Sequence, residues 1–146
     1  MDSPRRNLAF FCRVGPRLCA FPCADIVEIM RGLPISAVPG APAFVPGVSV
    51  IRDIATPVVD LAVLLGSDAS ERAYFVMVAL PGRQVAVAVD AALGVRPLAV
   101  DCEELPPLLR GAGPELVSAM HALDNELLLV LRGVLDVPAE LGAPAG

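Results

Sequence analysis

Short apolar runs separated by turn signals dominate the chain. Leu8 to Val14 is an apolar run that stops at Gly15-Pro16, and Leu18 to Phe21 returns from it. A turn dipeptide between two such runs predicts a hairpin. Asp25 to Met30 fits either a helical turn or a strand. Gly47 to Arg52 and Thr56 to Leu61 predict two further strands, with Pro57 expected at a sheet edge or a strand start because it has no N–H to give. Asp60 is placed to cap a short helix from Leu61 to Leu65, closed by Gly66.

The second half repeats the style. Tyr74 to Leu80 and Gln84 to Asp90 flank a Pro81-Gly82-Arg83 turn. A weaker strand is expected over Val95 to Val100. A final hairpin is expected over Leu116–Leu123 and Glu126–Leu131, around Asp124-Asn125. Asp136 and Pro138 suit the start of a short helix within Val134 to Leu141, and the Ala-Pro-Ala-Gly tail, about 142–146, is expected to be disordered. Nine or ten short strands with regular turn signals predict an all-β barrel or sandwich. No stretch keeps a helical apolar period beyond about two turns.

Composition narrows the possibilities. The 146 residues fit one domain. Hydrophobic residues make up 55% and charged residues 18%, too apolar for a disordered chain. All 11 basic residues are arginine, and with 16 acidic residues the net charge is -5. That excludes a general nucleic-acid binder, which needs a basic field. So much apolar surface implies either an efficient core or a face reserved for a partner. Leu33 to Ile51 carries no charge, but four prolines (Pro34, Pro39, Pro42, Pro46) rule out a spanning helix and predict a loop leading into a strand. No apolar h-region follows Met1-Asp2-Ser3-Pro4-Arg5-Arg6 at the usual distance, so no secretory signal is expected and the location is read as cytoplasmic.

The residues that could carry chemistry are few. Cys12, Cys19, Cys23 and Cys102 form no C-x-x-C pair, and His121 is the one histidine, so no metal site or cofactor is expected. Cys12 and Cys19 flank the first turn and are positioned to face each other as core hydrophobes. Glu103-Glu104 read as loop charges, and Gly111-Ala112-Gly113 lacks the lysine of a phosphate loop. The chain is therefore read as no enzyme; the competing alternative is a small β-barrel enzyme using Cys23 or His121.

One segment is specific. Pro42-Ala43-Phe44-Val45-Pro46-Gly47-Val48-Ser49-Val50-Ile51-Arg52-Asp53, continuing to Thr56-Pro57-Val58-Val59-Asp60-Leu61, resembles the signature of the CheW family of chemotaxis coupling proteins. Ile26-Val27-Glu28-Ile29, Val85 to Asp90 and Leu127 to Leu131 match further family segments in order. The family pattern has Asn and Gly where this chain has Val50 and Asp53. If that glycine needs φ > 0, aspartate adopts it at a cost of about 1 kcal/mol.

The resemblance implies two packed five-stranded SH3-like β-barrels that exchange chain segments. It also implies a non-catalytic adaptor joining a chemoreceptor's helical tip to the regulatory domain of a CheA-type histidine kinase. The alternative within the same class is a CheW-like scaffold for pili or surface sensing, favoured by the Val50 and Asp53 departures. No nucleic acid and no direct membrane insertion are implied. The receptor- and kinase-binding residues are expected at Ile26, Glu28, Val38, Phe44, Val48, Arg52, Asp53, Pro57 and Val87. Ile26, Val48 and the Val85–Val89 strand are read as apolar groove lining. Arg52 has two readings: a bidentate clamp for a receptor carboxylate, or an internal ion pair with Asp53 or Asp60.

Overall fold

The computed structural model describes residues 8–98, 103–104 and 117–131. The chain builds strands β1 (Leu8–Val14), β2 (Arg17–Pro22), β3 (Ile26–Arg31), β4 (Gly47–Ile51) and β5 (Ile54–Asp60). One short helix, α1 (Leu61–Leu64), follows. The second half supplies β6 (Tyr74–Leu80), β7 (Arg83–Val89), β8 (Ala91–Pro97), β9 (Glu103–Glu104), β10 (Val117–Leu123) and β11 (Glu126–Leu131). The all-β expectation holds. The ambiguous third segment resolves into a 3-10 turn, Cys23–Asp25, followed by the strand β3.

The strands form two sheets. One runs β8-β1-β2-β11-β10 with the two-residue β9 at its end, and the other runs β3-β6-β7-β5-β4. Their topologies correspond. Each has an antiparallel hairpin (β1–β2 or β6–β7) whose second strand pairs in parallel with the second strand of another hairpin (β11 or β5). In each case the strand that follows a hairpin leaves for the other sheet: β3 after β1–β2, and β8 after β6–β7. The two halves of the chain are thus interlocked, each lending a hairpin to strands of the other.

Burial explains why the strands read as continuous apolar runs. Phe10, Cys12, Val14, Cys19 and Phe21 of the first sheet meet Val59, Val76, Val78, Val85, Val87 and Val89 of the second in one shared core. The alternate residues face the other way. Ala9, Phe11, Leu18 and Ala20 join Leu128 and Val130 in a cluster private to the first sheet, and Phe75, Met77, Ala86 and Ala88 join Ile51 and Val58 in one private to the second. Successive strand residues point to opposite faces. With both faces covered, apolar residues fill both, as they do in sheets buried on two sides. Val76 and Val78 alternate with Phe75 and Met77, and all four are buried.

Several sequence expectations need correction. Glu103-Glu104 is not loop: its backbone pairs with Ala119 and Met120 as β9 on the edge of β10. The weak strand expected from Val95 begins earlier, at Ala91, and runs to Pro97, because its register is set by β1, from Arg13↔Ala91 to Leu8↔Pro97; residues 99 and 100 of the expected span lie outside the described residues. Pro57 sits inside β5, a strand flanked on both sides, but β7 pairs only from Val58 onward, so no ladder partner is needed at Pro57 on that side. The expected helix over Val134–Leu141 and the 142–146 tail lie outside the described residues. No described helix is long and apolar enough to cross a membrane.

Asp60 fixes the junction after β5. Its buried carboxylate accepts from Ala62 N at 3.1 Å and Val63 N at 3.4 Å, the N-cap role expected of it. It also accepts from Ser70 N at 3.1 Å and Arg72 Nε at 2.9 Å, tying down the chain that leads to β6.

Candidate functional site

The β4–β5 hairpin closes on Arg52-Asp53, between the Ile51↔Ile54 pair. Both turn residues are left-handed, with φ of 50° and 66°. Two positive-φ residues define the type I′ turn that matches strand twist. Asp53 therefore occupies the left-handed position for which a glycine is the unstrained choice. The start of the hairpin is fixed by Gly47, where a Cβ would sit 1.9 Å from Ser36 O. That close approach lets Ser36 and Val48 exchange backbone hydrogen bonds of 2.8 and 2.9 Å.

Arg52 reaches Glu28 on β3. Its Nη2 donates to Glu28 Oε2 at 2.7 Å, and Nη1 donates to Oε1, a bidentate pair. The Arg52 fork lowers the Glu28 carboxyl below its usual range, and Glu28 in turn raises the guanidinium. Neither Asp53 nor Asp60 is the partner. Asp60 is held by Arg72 instead, and the carboxylate that takes Arg52 comes from a strand 24 residues away. The pair remains solvent-facing, with the Arg52 side chain 64% exposed.

A groove of about 740 Å³ runs beside this tip, lined by Ile51 to Pro57 of the hairpin and Gly82, Arg83 and Gln84 of the β6–β7 turn. Val50 and Ile54, 66% and 65% exposed, are the most exposed large aliphatic residues among those described. The tip thus combines two apolar side chains, an ion pair and the Asp53 carboxylate.

The expected site residues divide. Glu28, Arg52 and Asp53 come together, and Val48 stands opposite Pro57 on the same hairpin. Ile26 and Phe44 are half-buried against the shared core, and Val38 is half-buried in the loop before β4. Val87 is a correction: it is fully buried between the sheets and lines no surface. Strand β7 sends Val85, Val87 and Val89 into the shared core and Ala86 and Ala88 into the private cluster of its own sheet, so small and β-branched residues there fill core on both faces.

The surface over the seam is carried by residues that the sequence reading passed over. Ile29 stands opposite Val76, and Val95 stands opposite Phe10. Both partners belong to the shared core, and opposed residues of an antiparallel pair share a face. Ile29 and Val95 therefore lie on the faces where the sheets meet, yet are 38% and 53% exposed. They sit on β3 and β8, the strands that cross between sheets and end them. The sequence carries no signal for this: Ile26, Glu28 and Met30 are half-buried while Val27, Ile29 and Arg31 are exposed, a pattern that the order Ile-Val-Glu-Ile-Met-Arg does not follow.

Chemically, this surface offers aliphatic contact and oriented charge. Among the described residues no three His, Cys, Asp or Glu side chains gather as a metal site would require. Cys23 is half-buried, and its thiol is raised by that burial, away from the thiolate a nucleophile needs.

Comparison with known proteins agrees with this architecture. Residues 9–137 match the CheW-like domain. Over 128 residues the chain is 32% identical to Protein FrzA of Myxococcus xanthus, covering 84% of this chain and 79% of that one. The fold is similar to the crystal structure of the scaffolding protein TtCheW from Thermoanaerobacter tengcongensis, with a TM-score of 0.73 at 21% identity, over 86% of this chain and 88% of that one. With a domain match over most of its length, the chain belongs to the CheW-like family of scaffold and adaptor proteins.

Proposed function

We propose that this protein is a non-catalytic adaptor that couples a chemoreceptor to a CheA-type histidine kinase in the cytoplasm. The observation that carries the reading is that a CheW-like chain exposes large aliphatic side chains in two settings: Ile29 and Val95 on the edge strands β3 and β8, and Val50 and Ile54 at the β4–β5 tip. An adaptor needs two faces that are free at once. The receptor's helical tip lies along the seam, where an amphipathic helix finds aliphatic anchors, with the exposed Arg31 beside Ile29 on the same face of β3. The kinase regulatory domain takes the β4–β5 tip, where the Glu28–Arg52 pair sets orientation more than affinity. Co-purification tests this: a CheA-type kinase regulatory domain passed over immobilised protein is retained, and Ile54→Asp releases it. Failure to retain the domain at micromolar concentrations removes the kinase from the reading.

A second reading, a CheW-like scaffold of another pathway such as pili or surface sensing, is favoured by the tip itself. Val50 presents an aliphatic side chain to solvent where the family pattern carries an amide, and Asp53 adds a carboxylate beside it. The double change Val50→Asn with Asp53→Gly separates the two. A gain in affinity for a conventional chemotaxis partner assigns the departures to partner choice, and no change removes them as grounds for the second reading.

A further inference from the structure

Cys12 and Cys19 are direct partners in the β1–β2 hairpin. Both are free thiols, both are fully buried, and both side chains enter the shared core between the sheets. Opposed Cα atoms of an antiparallel pair lie about 4.5–5.5 Å apart. A disulfide spans Cα separations of about 4.4–6.8 Å. The Cα spacing thus already falls within the range a bond accepts, and only the Cβ atoms must be drawn closer. The hairpin closes tightly, with Gly15 left-handed at φ 57° and Val14 paired to Arg17, so the two strands hold one register. Cys23 lies in the turn after β2, outside this pairing.

We propose that Cys12 and Cys19 form a latent, reversible disulfide that locks the N-terminal hairpin. In the reaction the two thiols are oxidised, losing two electrons and two protons. A diazene or small-molecule disulfide takes them up, and one S–S bond forms as two S–H bonds break. The closed core resists the reaction. The attacking species is a thiolate, and burial opposes it, pushing Cys19 up to about 12 and Cys12 higher still. Oxidation therefore proceeds through local opening of the hairpin. Antiparallel Cβ atoms sit about 4.5–5.5 Å apart, and a disulfide draws them to about 3.8 Å. Closing the bond pulls β1 towards β2 and leaves it strained, which makes it the kind of disulfide that reductants reopen.

The test uses the whole wild-type chain treated with a diazenedicarboxamide oxidant, in buffer and in sub-denaturing urea. Peptide mapping without reductant locates any bond, and thermal melts are run before and after dithiothreitol. The expected result is a single intramolecular Cys12–Cys19 bond that forms faster in urea. The oxidised chain melts at higher temperature, because its unfolded state is cross-linked, and the shift reverses on reduction. Cys12→Ala and Cys12→Val, two variants of different volume, show no oxidant-dependent shift. The proposal is overturned if the bond maps to Cys23 or Cys102, if all thiols stay alkylatable across the urea series, or if oxidation lowers the melting temperature.

Discussion

Arg52 and Glu28 join the two edges of one sheet. Glu28 lies on β3 and Arg52 follows β4, the first and last strands in the order β3-β6-β7-β5-β4. Two edges that are four strands apart in an open ladder meet only if the sheet curls round. Met30 of β3 and Ile51 of β4 reach the same private cluster, in agreement with that curl. The ion pair is therefore a clasp across a rolled sheet.

The clasp is expected to respond to acid. Glu28 is lowered in the folded state by its bond to Arg52. A carboxyl lowered on folding contributes stability above its unfolded pKa and loses it as pH falls through the folded value. Glu28→Gln should lower the melting temperature slightly at neutral pH, since exposed pairs contribute little. The difference from wild type should vanish as pH drops through and below the carboxylate range. Melts of both proteins along a pH series check this; a gap that widens in acid contradicts it.

Asp60 should matter far more to the fold. It is fully buried, caps α1 and holds Ser70 and Arg72. Asp60→Ala removes a cap and strands the partners of a buried carboxylate, at a cost of about 3 kcal/mol or more. Urea denaturation gives the value, and a loss under about 1 kcal/mol would be inconsistent with the cap and the ion pair acting together.

The turn at Arg52-Asp53 makes the opposite prediction. Asp53 holds φ 66°, a region glycine enters without the Cβ penalty. Asp53→Gly should stabilise the fold by about 0.5–1 kcal/mol. Equilibrium unfolding measures it, and a clear destabilisation shows that the Asp53 side chain makes a favourable contact the turn geometry does not reveal.

Core and surface aliphatics should separate cleanly. Val87→Ala empties space in the shared core and is expected to cost about 2 kcal/mol or more. Ile29→Asp and Val95→Asp, on exposed edge strands, should leave the melt nearly unchanged while removing a partner's apolar contact. Equal destabilisation by all three would mean that the seam margin is core.

The strands were legible because their apolar runs are uninterrupted, a consequence of sheets covered on both faces. The same property hid the site. A valine in the β7 pattern looks alike whether it lines a groove or fills a core, so the pattern alone does not separate Val87 from a groove residue. Glu28 and Arg52 were each singled out, but their pairing depends on the sheet curling, which brings β3 to β4 across three intervening strands. Arg52 was therefore matched to nearer carboxylates. β9 escaped because a two-residue edge strand made of Glu103 and Glu104 has no apolar signal at all. The left-handed turn at Asp53, by contrast, was legible from a family pattern that carries glycine there.

The most direct test of the adaptor account is whether the protein holds two partners at once. A helical receptor-tip fragment and a CheA-type kinase regulatory domain are mixed with it, and complexes are resolved by analytical ultracentrifugation. The account predicts a ternary complex containing all three chains, with Ile29→Asp losing only the receptor fragment and Ile54→Asp losing only the kinase domain. Binding that is mutually exclusive, or loss of both partners on either substitution, would contradict two independent docking faces.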